Sequence, residues 1–367
     1  MVTISLCMIV KDEEDVLERC LLSAKDLVDE IIIVDTGSAD ETAAIARRFT
    51  DNVYSFTWRD DFAAARNYSF SKAGMDYCMW LDADDVILEE DREKFLNIKA
   101  EMDGSEDIIM LPYHTAFDES GNPVFSYNRE RIIRNHSGFR WEGEVHEAIT
   151  PSGKILYKDA SVTHRKMRAG DPNRNLRILE RKKQSGIILP PRQMFYYGQE
   201  LYFHERYDDA IGALEDFMDQ DDGWIENKLE ACKLLSVCYL QKGEETLALR
   251  ALIKSLELDE PRAEICCRLG EYFMDRNRLK EAVFWYETAR SRKPDLKSGG
   301  FVQEDCYGYV PNLQLAVCYD RLGQWEKAKD CNERAAVFKP DSEAVSYNRI
   351  YFENKSNEIK GETFNEL

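Results

Sequence analysis

Residues 31–42 read IIIVDTGSADET. Four β-branched residues in a row suit a buried strand. Asp35 closes it, and Thr36-Gly37-Ser38 turns the chain. Ser38 with Glu41 three residues on is a capping-box signal, predicting a helix through about Arg48. Upstream, residues 4–10 read as a strand and 14–24 as a helix, with Val16, Leu17, Cys20 and Leu21 recurring on one face. Downstream come a strand over 53–58, a helix over 61–73 and a strand over 77–81. Such alternation predicts an α/β domain with a mostly parallel sheet covered on both faces. Ligands of open sheets of this kind bind beyond the carboxyl ends of the strands.

After about residue 190 the rhythm becomes helical and repetitive. A small residue, a large apolar one three positions later and an Ala nine further on recur as Gly198/Leu201/Ala210, Ser236/Tyr239/Ala248, Gly270/Phe273/Ala282 and Ala316/Tyr319/Ala328. Pro261, Pro294 and Pro340 follow the last three units. Small residues let paired helices approach while the large one fills the gap. The pattern resembles the tetratricopeptide repeat, nominally 34 residues, with a loop inserted around 297–307. We expect an all-α helical solenoid of about four repeats over 186–345, an N-terminal domain over 1–185, and a C-terminal helix or tail over 346–367 whose last residues, GETFNEL, fray.

The 367 residues carry 49 Lys+Arg against 69 Asp+Glu, a net charge of −20. That balance argues against a nucleic-acid or anionic-membrane partner, leaving room for a local basic pocket. No apolar run approaches the roughly 20 residues of a membrane span, so no transmembrane segment is expected. MVTISLCMIV runs straight into KDEEDV and reads as a strand rather than a signal peptide. The ten cysteines show no CxxC spacing, which predicts small reduced core residues and a cytoplasmic protein.

Chemistry centres on residues 79–88, MWLDADDVIL. A strand ending in Asp82-x-Asp84 sets two carboxylates at the ligand edge, a hard oxygen pair suited to Mg²⁺ or Mn²⁺ shared with a diphosphate. Taken alone, so short a motif is equally a solvated acidic turn. Asp35 can accept hydrogen bonds from a nucleobase imide or a ribose hydroxyl, or simply serve its turn. The first strand's end would flank the same base, and Glu13 could reach ribose or favour the following helix's N-terminus.

The succession CMIVKDEE, IIIVDTGSADET, WRDDFAAARN and MWLDADD resembles the family-2-type glycosyltransferases of GT-A fold, a Rossmann-like mixed sheet, over about residues 1–165. Joined to the repeats, it is similar to the subgroup containing the bacteriocin peptide S-glycosyltransferases. The resemblance implies a nucleotide-sugar donor, UDP-linked by analogy, a divalent metal (Mn²⁺ or Mg²⁺) and hexosyl transfer with inversion. It assigns the uridine contact to Asp35, the nucleoside wall to Val10, Lys11 and Glu13, and a place near the donor phosphate to Arg66. Asp84 becomes the direct metal ligand and Asp82 lies toward ribose, with Asp85 extending the acidic run. Asp12 departs from the Asn found in many relatives.

On the acceptor side, FRWEGEVHEAI resembles the subgroup's stretch ending in His-Glu. An inverting transfer needs a proton acceptor, for which Glu147 is the first candidate and Glu144 the reserve. The alternative is that both are solvent-facing strand residues. His146 could complete the metal shell or touch pyrophosphate, and His164, in SVTHRKM, is its rival as third ligand. Each could equally be structural. Arg174 and Arg177, in a basic stretch with Arg165, Lys166, Arg168 and Arg181, could close over diphosphate or merely face the acidic repeats. Trp141 is the aromatic chosen as a sugar or acceptor wall. No GxSxG motif or Cys–His pairing suggests a nucleophile.

The reading is therefore a metal-dependent inverting glycosyltransferase acting on a peptide, protein or glycan acceptor, its repeats holding the acceptor or forming a homodimer. The alternative is a non-catalytic repeat scaffold that retains a nucleotide-sugar-binding domain. A nucleotidyltransferase ranks lower, because no Gly-rich phosphate loop follows the first strand.

Overall fold

The computed structural model describes residues 1–118, 121–167, 170–295 and 299–365, with side chains described through 356. The chain falls into two compact units, the first built on Met1–His204 and the second on Glu205–Asp295 with Phe301–Leu367.

In the first unit β1 (Ile4–Val10), α1 (Leu17–Ala24), β2 (Glu30–Asp35), α2 (Thr42–Ala46), β3 (Val53–Ser55), α3 (Phe62–Phe70) and β4 (Tyr77–Trp80) alternate as expected. Strands β1 to β4 are mutually parallel where they pair, and Val10 sits opposite Asp35, so their carboxyl ends share one edge. There follow β5 (Asp85–Val86), α4 (Glu89–Glu101), β6 (Ile108–Phe117), β7 (Pro123–Arg134), β8 (Trp141–Glu142), β9 (Ala148–Ile149), β10 (Ile155–Tyr157) and β11 (Val162–His164). The sheet order is β3-β2-β1-β4-β7-β6-β11-β5, with β10 beside β6, while β8 and β9 form a small separate ribbon. Because β7 runs antiparallel to both β4 and β6, the sheet is mixed. Its main core gathers Leu6, Met8, Leu17, Leu21, Ile33, Met79, Phe95 and Ile109, all essentially inaccessible.

Helices α5 (Arg174–Gln184) and α6 (Pro191–Phe203) complete this unit. The repeat register counts Gly198 and Leu201 as the opening of the first repeat, yet by contact α6 lies within the first unit.

The second unit contains α7 (Tyr207–Met218), α8 (Ile225–Gln241), α9 (Glu245–Leu258), α10 (Ala263–Asp275), α11 (Leu279–Ser291), β12 (Val302–Gln303), α12 (Tyr309–Arg321), α13 (Trp325–Phe338) and α14 (Glu343–Asn365). The helical solenoid is as expected. In the last three units the small and large markers fall on α8, α10 and α12, and the following Ala on α9, α11 and α13. Of the inserted segment, 297 and 298 lie outside the described residues; Glu304–Tyr307 forms a 3₁₀ turn. The tail's GETFNEL side chains also lie outside them, although the α14 backbone continues to Asn365.

Gly270 shows why the small position matters. A Cβ there would stand 2.7 Å from the buried Tyr286 ring. Alanine normally favours a helix by about 1 kcal/mol over glycine. Here Gly270→Ala is expected instead to destabilise the array by about 1–3 kcal/mol through overpacking. An earlier urea midpoint at unchanged slope is the measurement.

All ten cysteines are free and buried, and those at 7, 20, 232, 238, 266, 267, 318 and 331 have thiols pushed up chiefly by burial, apart from Cys267, where a hydrogen bond with Cys306 leads. Among the described residues no helix is long and apolar enough to cross a membrane.

Candidate active site

A cavity of about 560 Å³ opens where the carboxyl ends of β1, β2 and β4 meet the loops after β8 and β11. Val10, Lys11 and Glu13 form one wall, Asp82 and Asp84 the floor, and Arg66, His146, Glu147, His164 and Arg174 the remaining sides. Ten of the residues singled out from sequence thus line one space. Asp35, Asp85, Trp141, Glu144 and Arg177 do not line it, although Thr36 beside Asp35 takes part.

The loops after β1 and β2 are stitched together. Asp12, in the left-handed region at φ 55°, donates its N–H to Ser38 Oγ at 3.0 Å and accepts from Ala39 N at 2.7 Å. An Asp or Asn tolerates that backbone best, so the departure at Asp12 keeps the local geometry. Glu13 N donates to Thr42 Oγ1 at 2.7 Å. The expected capping box is absent: Ser38 Oγ donates to Asp35 Oδ1, Glu41 N bonds Glu14, and α2 begins only at Thr42. Tertiary bonds between the two loops take the groups a local cap would use. Asp35 Oδ1 accepts from Gly37 N, Ser38 N and Ser38 Oγ, at 2.8–3.1 Å.

After β4 the chain turns within DADD. Asp85 is completely buried with both oxygens engaged: Oδ1 accepts from Tyr113 Oη at 2.8 Å, and Oδ2 from Asp82 N at 3.1 Å and Arg131 Nη1 at 3.2 Å. Arg131 is also fully buried, its guanidinium 3.8 Å from the Trp80 ring centre and 4.3 Å from that of Tyr113. Strand β11 pairs antiparallel with β5 and brings His164 opposite Asp85. Its Nδ1 lies 3.4 Å from Asp84 Oδ1, 3.3 Å from Asp85 Oδ1 and 3.0 Å from Tyr113 Oη. Asp84, Asp85 and His164 have the spacing of a metal-binding group. Burial, with the nearby Asp82 and Asp85 charges, pushes the Asp84 carboxyl up despite His164. The hydrogen bond to Asp85 raises His164 against the effect of burial. Crowded carboxylates beside an imidazole are a donor set that fits Mg²⁺ or Mn²⁺.

Arg66 ties the turn after β4 to the loop after β8. Its Nη2 donates to Asp82 Oδ1 at 2.7 Å and its Nε to Glu147 Oε1 at 2.6 Å. The guanidinium sits 4.8 and 4.9 Å from the ring centres of Trp80 and Trp141. Nη1 is buried with no protein partner. Burial would lift the Asp82 carboxyl, but Arg66, and then Arg131 and Arg129, hold it below the usual range.

Glu144 is occupied by Lys182 Nζ at 2.5 and 2.7 Å and by Gln193 Nε2 at 2.5 Å. Those bonds outweigh burial and keep its carboxyl low. His146 lies at φ 50°, with its ring against α6. Arg174 stacks over Phe62 at 4.6 Å. Arg177 instead pairs with Asp171, Arg181 with Asp60, and Arg168 lies outside the described residues. Trp141 is a correction: it is 2% exposed, packed edge-on against Trp80 at 5.1 Å, and belongs to the core. Trp58 reaches the cavity in its place. Asn175 and, behind the wall, Tyr113, Arg131 and Glu200 were not singled out from sequence, whereas Lys166, which lines the cavity, was named only as part of the basic stretch. The signal for Glu200 was present: a lone carboxylate inside the aromatic helix FYYGQELYF.

A sheet whose carboxyl edge gathers acidic and imidazole side chains beside a cavity has the layout in which open α/β sheets bind their ligands. Residues 5–162 match Glycosyl transferase family 2, and residues 263–296 match the tetratricopeptide repeat. The chain therefore joins a family 2 glycosyltransferase domain to tetratricopeptide repeats. A TPR repeat-containing protein of Synechococcus elongatus is 28% identical over 88% of this chain and 75% of its own length. The SPbeta prophage-derived glycosyltransferase SunS of Bacillus subtilis is 26% identical over 71% of this chain and 64% of its own. The lipopolysaccharide core biosynthesis glycosyltransferase LpsC of Rhizobium meliloti is 27% identical over 41% and 58% respectively. The chain thus spans less than two thirds of these two glycosyltransferases.

Proposed function

We propose that the protein is a metal-dependent inverting hexosyltransferase that moves a sugar from a UDP-sugar to a peptide, protein or glycan acceptor. The observation that carries this reading is the grouping of Asp84, Asp85 and His164 in the cavity that the β1 loop also lines. Asp84 and His164 would hold Mn²⁺ or Mg²⁺, since both Asp85 oxygens already serve the fold. The ion supplies positive charge for the departing diphosphate. Asp35, Val10, Lys11 and Glu13 bind the nucleoside, Asp82 faces ribose, and Arg174 and Lys166 add cationic charge to the wall. The repeats receive the acceptor or a second copy of this chain; sizing chromatography with and without peptide separates these roles.

UDP-glucose, UDP-N-acetylglucosamine and UDP-galactose are incubated separately with the protein in Mn²⁺ or EDTA. Release of UDP from one of them with Mn²⁺ and not with EDTA is expected. Binding or release of none would overturn the proposal and favour a scaffold role.

A further inference from the structure

The two carboxylates flanking His146 are both committed to cations. Glu144 is held by Lys182 and Gln193, and Glu147 by the buried Arg66 that also grips Asp82. His146 is held differently. Its ring lies flat on Tyr196, with centroids 3.9 Å apart and planes within 4°. Its Nε2 stands 2.9 Å from Glu200 Oε1, and its carbonyl accepts from Arg192 Nε at 3.0 Å. Among the described residues Nδ1 has no hydrogen-bond partner, and the residue lines the cavity that contains Asp84 and His164. Stacking and the Glu200 bond fix the ring's plane and direction together.

Glu200 is itself anchored, accepting from Asn175 Nδ2 at 3.0 Å. Burial would raise its carboxyl, but the bonds from His146 and Asn175 prevail and hold it below the ordinary range. An ionised Glu200 can only accept, so Nε2 carries a proton, and in the neutral ring the lone pair is then on Nδ1; this tautomer is assigned from the hydrogen-bond network, in which Asn175 Nδ2, 3.5 Å from Nε2, bonds Glu200 instead.

We infer that His146, oriented by Glu200, is the general base of the transfer. The inference rests on the glycosyltransfer reading above. The acceptor's S–H or O–H gives its proton to Nδ1 as the sulfur or oxygen forms its bond to the anomeric carbon. The bond from that carbon to the phosphate oxygen breaks, and its electron pair leaves with the nucleoside diphosphate. Glu200 then faces an imidazolium whose charge it offsets, the arrangement by which a third group orients and supports a base. When water is the acceptor, the same proton transfer produces donor hydrolysis. His146 is the catalytic residue in this scheme, and Glu200 and Tyr196 are positioning residues.

The full-length chain is assayed with whichever of the three UDP-sugars it hydrolyses. His146→Ala is expected to lower kcat by about 10²–10⁴-fold, with Mn²⁺ and UDP affinities within about twofold of wild type. Imidazole added to the buffer should restore part of the lost rate. His146→Gln, which can keep the bond to Glu200 but has no basic nitrogen, should be equally slow and serves if the alanine variant fails to fold. Glu200→Gln should lower kcat at unchanged KM. Unchanged kcat in both His146 variants, or a loss that imidazole does not touch, would overturn the assignment. So would a tenfold or larger loss of Mn²⁺ affinity, which would make His146 a metal ligand. Failure of the wild-type chain to bind any of the three donors would instead overturn the glycosyltransfer reading, and this inference with it.

Discussion

Asp84→Ala is expected to lower metal-dependent UDP release by roughly 10²–10³-fold or more, the equivalent of several kcal/mol of transition-state stabilisation. The argument is one of local charge. Asp84 stands within 3.4 Å of His164 and beside Asp82 and Asp85, and burial with those neighbours raises its carboxyl. A carboxyl raised in the folded state is one whose ionised form the fold disfavours. Below the unfolded value, about 3.9, the group is protonated in both states and costs nothing. The cost appears as pH rises through and beyond the unfolded value, where the unfolded chain ionises first. At neutral pH without metal, therefore, the alanine variant should melt at the same temperature as wild type or higher. Adding Mn²⁺ should raise the wild-type Tm by mass action and leave the variant's unmoved. Opposite signs for activity and metal-free stability would separate a lost ligand from a damaged fold. A variant that melts earlier and still releases UDP in Mn²⁺ would refute the assignment.

Arg66→Met is expected to destabilise the first unit strongly. The substitution removes the cation shared by Asp82 and Glu147, whose side chains are 36% and 11% exposed. Stripping one partner from a fully buried ion pair costs about 3–5 kcal/mol. Because Asp82 is partly solvated, the lower end, about 3 kcal/mol, is the appropriate figure. For a unit of this size that corresponds to a fall in Tm of about 6–12 °C. Arg66→Lys should recover part of it, since an ammonium retains the charge but not the planar fork that spans both carboxylates. Asp82 is held low by Arg66, so its contribution is present above the unfolded value near 3.9 and disappears as pH falls toward the folded one. The gap between wild type and variant should begin to narrow only below about pH 4 and close as pH falls through the lower folded value. Thermal melts at pH 7 and over a descending series below about pH 4 test both statements, and a gap that stays constant through the whole series would show that packing against Trp80 and Trp141 matters more than charge.

The parallel strands were legible because their apolar runs are short, β-branched and bounded by turns; residues 4–10 coincide with β1. The helical array was legible because its markers follow from how two helices pack, as Gly270 against Tyr286 illustrates. Strand β7 was not. Its sequence, PVFSYNRERIIR, carries Arg129, Glu130 and Arg131 where a buried strand should be apolar. Arg131 is accommodated by Asp85, Trp80 and Tyr113, and Arg129 by Glu130, partners that no local pattern reveals. The same holds for the capping box at Ser38, where a loop 26 residues away in sequence took the hydroxyl. Around the site, residue types and spacing brought most of the candidates to one cavity. Their pairings arise from tertiary proximity. Glu147, and Glu144 in reserve, looked available as bases until Arg66 and Lys182 were seen beside them. Trp141 looked like a strand-end platform until its burial put it in the core.

Helix α6 has a bearing on how this architecture can be recombined. Gln193, Tyr196 and Glu200 clasp residues 144–146 from a helix that the repeat pattern would assign to the array. A chimera joined at Pro190-Pro191, the obvious seam in the sequence, would receive a foreign helix behind its own His146. Exchange of repeat arrays between relatives should preserve turnover only when the junction lies beyond His204. Inheritance of the two parts as freely interchangeable cassettes is therefore disfavoured, and the helix at the seam must evolve with the enzyme rather than with whatever the array binds.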